Sequence, residues 1–331
     1  MILVRDVLNM LNHISKGKLV NSYEDFKFSK DSYAVEKSSV IDDESAEEMS
    51  GLIYGDPMME VKKIAVVMTL TESAIELAAF THVNVIIVHH PINEGDRQGS
   101  ISYKNYLSLY NIAVFELHEA FHGLHPGIPW LHGYNVVNSF FNYRGITGNT
   151  AYIGRTFDNI NTLGDILKRL EKFMDVRNEN SPINEDIESD ECRNLCYVST
   201  DIGDKILNGN INSPVKNLLH IFPHTGFNDE DLEKVFIEFP YIDTVLVSIS
   251  HIYEGNPLLD KSRELGLNFI CGNSRTMEVY ENGLPISYAL KKYMPHVEVV
   301  IFRESTTSIP LESISTKGLK EYGEYIASKY L

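Results

Sequence analysis

Apolar positions fall into two rhythms along this chain. At the amino end Ile2, Val4, Val7, Leu8 and Leu11 recur on a helical stripe, which predicts an amphipathic helix over residues 2–13. The stretch that follows is polar and acidic, with DDESAEE at 42–48, and runs to IYGDP at 53–57, which reads as a turn. From residue 64 short apolar runs alternate with amphipathic ones. IAVVMTL (64–70), VNVIIV (83–88) and IAVFEL (112–117) read as buried strands. TESAIELAAF (71–80), opening on Thr71 with Glu72 in its first turn, and SYKNYLSLY (102–110) read as the helices between them. That order predicts parallel β-structure with right-handed crossovers.

The centre is less regular. AYIGRTF (151–157) reads as a strand, TLGDILKRLEKFM (162–174) as a helix, and VRNENSPINEDIESDE (176–191) as a solvated loop. Alternation then resumes with strands at LLHIFP (218–223), TVLVSI (244–249), LNFICG (267–272) and VEVVIF (297–302). Helices fall at 229–239, near 257–265 and across 283–293. The expected fold class is α/β: two interlocked α/β halves with mostly parallel sheets around a metal-bearing cleft. Residues 1–135 form a first half with His-rich strand ends, 136–215 a variable central segment, and 216–331 a second half packing back on the first. There is no internal repeat.

Composition narrows the function classes. The 331 residues are 43% hydrophobic, enough for a sizeable core. A net charge of −17 argues against a nucleic-acid partner, whose phosphates are met by Lys and Arg, and against an anionic membrane surface. It is compatible with a cation-loaded site, although its plain reading is solubility. The three cysteines (Cys192, Cys196, Cys271) make no even disulfide framework, and Cys192 with Cys196 is a weak metal signal without a second pair. No apolar run approaches the ~20 residues of a membrane span, and the amino end lacks the apolar run of a secretory leader. A soluble, cytoplasmic protein with reduced thiols is expected.

The chemistry concentrates in histidines. His89 and His90 end the strand at 83–88, and His118, His122, His125 and His132 follow the next one in HEAFHGLHPGIPWLHGYN. Neighbouring parallel strands thereby deliver imidazoles to one carboxyl edge, where ligands gather in open α/β sheets. Neutral imidazole is a ligand for zinc, iron, nickel and related ions. Taken singly, each ring reads first as a surface or hydrogen-bonded histidine, and His125 and His132 keep that reading. The pair before Pro91 differs. Successive strand residues point to opposite faces, so His89 and His90 converge only where the strand breaks, which Pro91 favours. His118 and His122, spaced i, i+4, share a face if their segment is helical. His251 reads as a surface residue at a helix start, with a ligand role as the alternative, and Arg275 in GNSRTMEVYENG reads as a possible anion clamp. No GxGxxG, P-loop or GxSxG pattern occurs.

VIIVHHP, preceded by GDP (55–57) and KKIAVVMTLTESAIELAAF, resembles the opening of the NIF-three-like dinuclear-metal-centre family. Its members also carry the label GTP cyclohydrolase I type 2 homologue. The resemblance implies His89 and His90 as a first pair of metal ligands and His118 as a third. His122 falls where the family has an aspartate, and Gly133 with Asn135 matches its Gly-x-Asn. In ICGNSRTMEVYENGLP, Glu278 matches a glutamate that bridges metals, which makes it a candidate general base as well. The family histidine ahead of it is missing, with Asn273, Ser274 or Arg275 in its place. Histidine for aspartate at 122 and the missing late histidine lower the negative charge and shift the site toward nitrogen ligands. One or two divalent ions per chain (zinc, iron, manganese or nickel) and a homohexamer built from trimers are implied as cofactor and assembly. The implied activity is metal-dependent hydrolysis of a phosphate-containing or nucleotide-like small molecule. A non-catalytic metal-binding scaffold, chaperone or metal store with a degenerate site is the alternative.

Overall fold

A computed structural model describes residues 1–15, 19, 51–90, 92, 103–117, 127–141, 150–174, 196–197, 205–223, 226–247, 252, 254–271, 279–303, 307–308 and 317–330. Within them the chain is α/β, with a five-stranded and a six-stranded sheet.

The first sheet runs β1 (Gly51–Tyr54), β4 (Ala113–Glu116), β3 (Val85–Val88), β2 (Lys63–Val67) and β12 (Glu298–Ile301). β2, β3, β4 and β12 are mutually parallel, so the last described strand of this sheet crosses back from the far end of the sequence to lie beside β2. VIIV of β3 is buried at all four positions, as a strand covered on both faces must be. Val85 and Ile87 join the core that holds α1 (Val4–Ile14) and α8 (Leu284–Tyr293). Ile86 and Val88 join the opposite one with α2 (Glu72–Phe80) and α3 (Tyr103–Tyr110). Thr71 caps α2, its Oγ1 accepting from the Ala74 amide at 3.1 Å.

β5 (Tyr134–Phe141), β6 (Thr150–Thr156), β9 (Asn217–Ile221), β10 (Thr244–Val247), β11 (Asn268–Cys271) and β8 (Lys205–Asn208) follow in that order across the second sheet. Only β9, β10 and β11 are parallel to one another. One face packs α6 (Asp229–Glu238) and α7 (Pro257–Glu264); the other packs α5 (Leu163–Met174). α4 (Gly127–His132) leads into β5 through Gly133, held at φ +80 in the left-handed conformation that ends a helix cheaply only for glycine. A two-stranded piece, β7 (Cys196–Tyr197) with β13 (Thr307–Ser308), and the helix α9 (Lys317–Tyr330) complete the described elements.

The alternating pattern foretold the parallel strands, the antiparallel β6 was also read as a strand, and the other antiparallel ones were missed. β1 occupies the start of the stretch read as a turn, pairing antiparallel to β4, and β5 and β8 were not expected as strands. Their residues are short runs or half-polar, so no buried two-faced pattern marks them. The expected helix across 283–293 is α8, preceded by a π-helical turn at Val279–Gly283. The expected loop at 176–191 lies outside the described residues.

Gly154 of β6 lies opposite Val136, and a Cβ there would collide with the ring of fully buried Tyr134. Gly154→Ala is expected to lower stability by about 1–3 kcal/mol, the usual range for overpacking. A urea midpoint that falls at unchanged slope checks it.

Candidate functional site

The carboxyl ends of β3 and β4 carry three buried polar side chains. His89 and His90 directly follow Val88 and remain tied to the end of β2: their amides donate to the carbonyls of Val67 (3.0 Å) and Met68 (2.7 Å). The two rings lie 5.5 Å apart between centroids, tilted by 43°. So close an approach means the pair has left the strict alternation of a strand. Thr69 Oγ1 lies 2.9 Å from His90 Nδ1 and fixes that ring, which makes Nε2 the nitrogen that would carry a metal.

Glu116 ends β4, paired in parallel register with Val88, and has 0% exposure. It continues the Val114 row, on the face to which His90 belongs by register. Its Oε2 accepts from the amide of Ile92 at 2.9 Å, so the carboxylate holds the chain two residues beyond His90. A carboxylate is rarely buried this completely without a compensating charge or several donors. Sequence reasoning passed over Glu116, although a lone acid inside the apolar run IAVFEL is a readable signal.

A second buried polar group lies where the two sheets meet. The turn at Val279–Gly283 is the wedge. Val279 packs into the first sheet's core, and a Cβ on Gly283 would stand 2.8 Å from Met68 Cε and 3.1 Å from Ile301 Cδ1. Glu281, also fully buried, points to the other side, its Oε1 3.8 Å from His132 Nδ1 at the end of α4. His132 Nδ1 also lies 2.9 Å from the Ile128 carbonyl. A carbonyl only accepts, so the proton sits on Nδ1 and the lone pair of the neutral ring is on Nε2. Burial pushes the His132 pKa down to about 4, with the positive charge of Arg169 adding to the effect, so the contact with Glu281 joins a neutral imidazole to a carboxyl group and is no ion pair. The His132 ring meets His220 edge-on at 5.2 Å, and Tyr134 Oη lies 2.6 Å from His220 Nδ1. Desolvation, then Tyr152 and Glu281, pushes the Tyr134 phenol well above its ordinary value, so it stays protonated and is the donor to His220. His132 is thus the hydrogen-bonded histidine of its first reading and not a surface one. Glu281 and His220 were not singled out, because a π-helical turn and an inward strand position give no local pattern.

Of the proposed ligands, the structure brings His89 and His90 together. His118, His122 and Glu278 lie outside the described residues, as do His125, His251, Asn273, Ser274, Arg275 and Cys192. Asn135 is exposed on β5, next but one to Gly133. Among the described residues no three His, Cys, Asp or Glu side chains are grouped closely enough to hold a metal ion. No helix among them is long and apolar enough to cross a membrane.

Residues 30–120 match the profile of the Duf34/NIF3 (NGG1p interacting factor 3) family. The fold is similar to that of reduced HcgD from Methanocaldococcus jannaschii (TM-score 0.55, 15% identity), covering 91% of this chain and 97% of that one. Similar also are the Staphylococcus aureus hypothetical protein SA1388 (TM-score 0.54, 15% identity, 91% and 96% covered) and a Bacillus cereus protein related to NIF3 (TM-score 0.52, 12% identity, 91% and 96% covered). No curated protein sequence matches.

His132 makes folding pH-dependent. Between its folded pKa of about 4 and its unfolded value near 6.5 the unfolded chain binds the extra proton, so stability falls as pH is lowered through that window. Full passage corresponds to about 3 kcal/mol. Urea unfolding at pH 7 and pH 4.5 is expected to show the loss, and His132→Gln, which cannot titrate, to flatten that part of the slope.

Proposed function

We propose that this chain, which belongs with the NIF3-like proteins by the match over residues 30–120 and by its fold, holds a divalent cation at the carboxyl edge of its first sheet and acts as a metal-dependent hydrolase. The observation that carries the proposal is the joint burial of His89, His90 and Glu116 at the ends of adjacent parallel strands. Imidazole nitrogens suit zinc, iron, manganese or nickel, and the acid at the end of the neighbouring strand would stand behind them. Thr69 on His90 is the outer hydrogen bond that metal-ligating histidines commonly carry. His89 and His90 are the described part of such a site, and the resemblance supplies His118, His122 and Glu278 as its further ligands.

In this reading His89 and His90 bind the ion, Thr69 orients His90, and Glu116 supplies buried negative charge while its bond to Ile92 keeps the chain after the pair in place. Such an ion, when bound, supplies Lewis-acid polarisation and an acidified water. Glu278 is the candidate for accepting a proton from the attacking water. The substrate class, a phosphate-containing or nucleotide-like small molecule, comes from the resemblance.

Elemental analysis of protein purified without chelator is expected to find bound metal, lost in His90→Ala and in Glu278→Ala. Glu116→Gln keeps an acceptor for Ile92 and removes the charge; metal affinity is expected to fall about 10–100-fold, as for other outer-shell changes. Metal-free wild type, or content unchanged in every variant, overturns the proposal. Where metal is present, phosphoesters and nucleotides screened with and without chelator separate a hydrolase from a non-catalytic metal-binding assembly.

A further inference from the structure

β2, β3 and β4 begin side by side at the amino edge of the first sheet, on Lys63, Val85 and Ala113. Residues just ahead of these three starts line a cavity of about 340 Å³, at the lower end of the range for ligand pockets. It lies the length of β3, roughly 13 Å, from His89 and His90. Asn84 ties its floor together. Asn84 Oδ1 accepts from the Lys62 and Lys63 amides at 2.9 and 3.2 Å, and Nδ2 donates to the Glu60 carbonyl at 2.7 Å. The Asn84 carbonyl accepts from the Ala113 amide at 3.0 Å, so one residue joins all three segments. The cavity is thereby formed before anything enters it.

Two helices end on this cavity, and they close alike. The Val83 amide donates to the Ala78 carbonyl at 2.8 Å at the end of α2, and the Ile112 amide to the Leu107 carbonyl at 3.0 Å at the end of α3. A chain leaving a helix this way passes through a residue in the left-handed conformation, usually glycine. Here the two positions hold His82 (φ +61) and Asn111 (φ +53). They are the two non-glycine residues with positive φ among the described residues, and both line the cavity. Asparagine tolerates that conformation, but histidine bears a strain that glycine would avoid. Strained residues of this kind gather at ligand clamps.

Charge selects the occupant. A helix carries partial negative charge at its carboxyl end, commonly offset by a basic residue in the last turn, and neither α2 nor α3 has one there. In the lining Glu60 and Lys62 offset one another in formal charge. The two helix ends, about half an elementary charge each, therefore set the sign. Met59, Val83 and the Tyr110 ring add apolar and aromatic surface. We propose that this cavity is a binding site for a small organic cation, an ammonium group carried on an aromatic or aliphatic body. The ammonium lies against Glu60 and the helix ends, the body lies on Met59, Val83 and Tyr110, and His82 and Asn111 hold it from the two helices. The inference is independent of the metal proposed at the opposite edge of the sheet.

Ligand-detected NMR titrations with three probes of one shape test it: 2-phenylethylammonium, 2-phenylethanol and phenylacetate. The ammonium is expected to bind saturably with a Kd below about 10 mM, the weak end for nine non-hydrogen atoms. The alcohol is expected to bind more weakly and phenylacetate not to saturate. Glu60→Gln is expected to weaken the ammonium about tenfold, as loss of a hydrogen bond to a charged group does. Lys62→Met, which removes the opposing charge, is expected to tighten it. His82→Gly is expected to weaken binding while its urea midpoint stays at or above that of wild type, because glycine takes the positive φ without strain. No saturation by the ammonium overturns the proposal, as does equal affinity for the alcohol or for phenylacetate. An ammonium affinity unchanged in both Glu60→Gln and His82→Gly places the probe at another site and also overturns it.

Discussion

Glu116 has 0% exposure, and a carboxylate held out of water has to be compensated. The Ile92 amide contributes a charge-assisted hydrogen bond of about 1.5–3 kcal/mol toward that compensation. The neighbours of Glu116 across the parallel register are Val88 and then the two buried imidazoles. In the proposed reading these nitrogens and the acid draw a cation to one sheet edge, and the rest of the first sheet holds that edge in place. β3 is buried on both faces, and the His89 and His90 amides are tied to the end of β2.

The turn at Val279–Gly283 couples this edge to the other half of the molecule. One helical turn meets the first sheet through Val279 and through Gly283, which lies close against the side-chain ends of Met68 and Ile301. The same turn offers Glu281 to His132, which touches His220, which in turn bonds Tyr134. π-helical turns are rare and cluster at functional sites. Here the turn spans Val279–Gly283, between the two buried contacts just described.

What was legible in the sequence follows from periodicity. Strands covered on both faces, such as VIIV and TVLV, and helices with a clean apolar stripe, such as Leu163–Met174, announce themselves within a few residues of their observed ends. β1 and β8 depend on partners far away in sequence and β5 on the next strand, and a short or half-polar strand carries no local mark of its partner. The candidate site divides in the same way. His89 and His90 stand out because two imidazoles interrupt an apolar run, and Glu116 stands out equally once burial of its strand is granted. Glu281 and His220 matter through a meeting of elements that no window of sequence contains.

The most direct measurement is an anomalous-difference map from crystals of protein purified without chelator, recorded across the absorption edges of zinc, iron, manganese and nickel. A cation at this edge predicts a peak within about 2.0–2.3 Å of a His90 ring nitrogen, beside His89 and the Glu116 end of β4. A map with no peak there, or one whose only metal lies away from the His89–His90 pair, would contradict it.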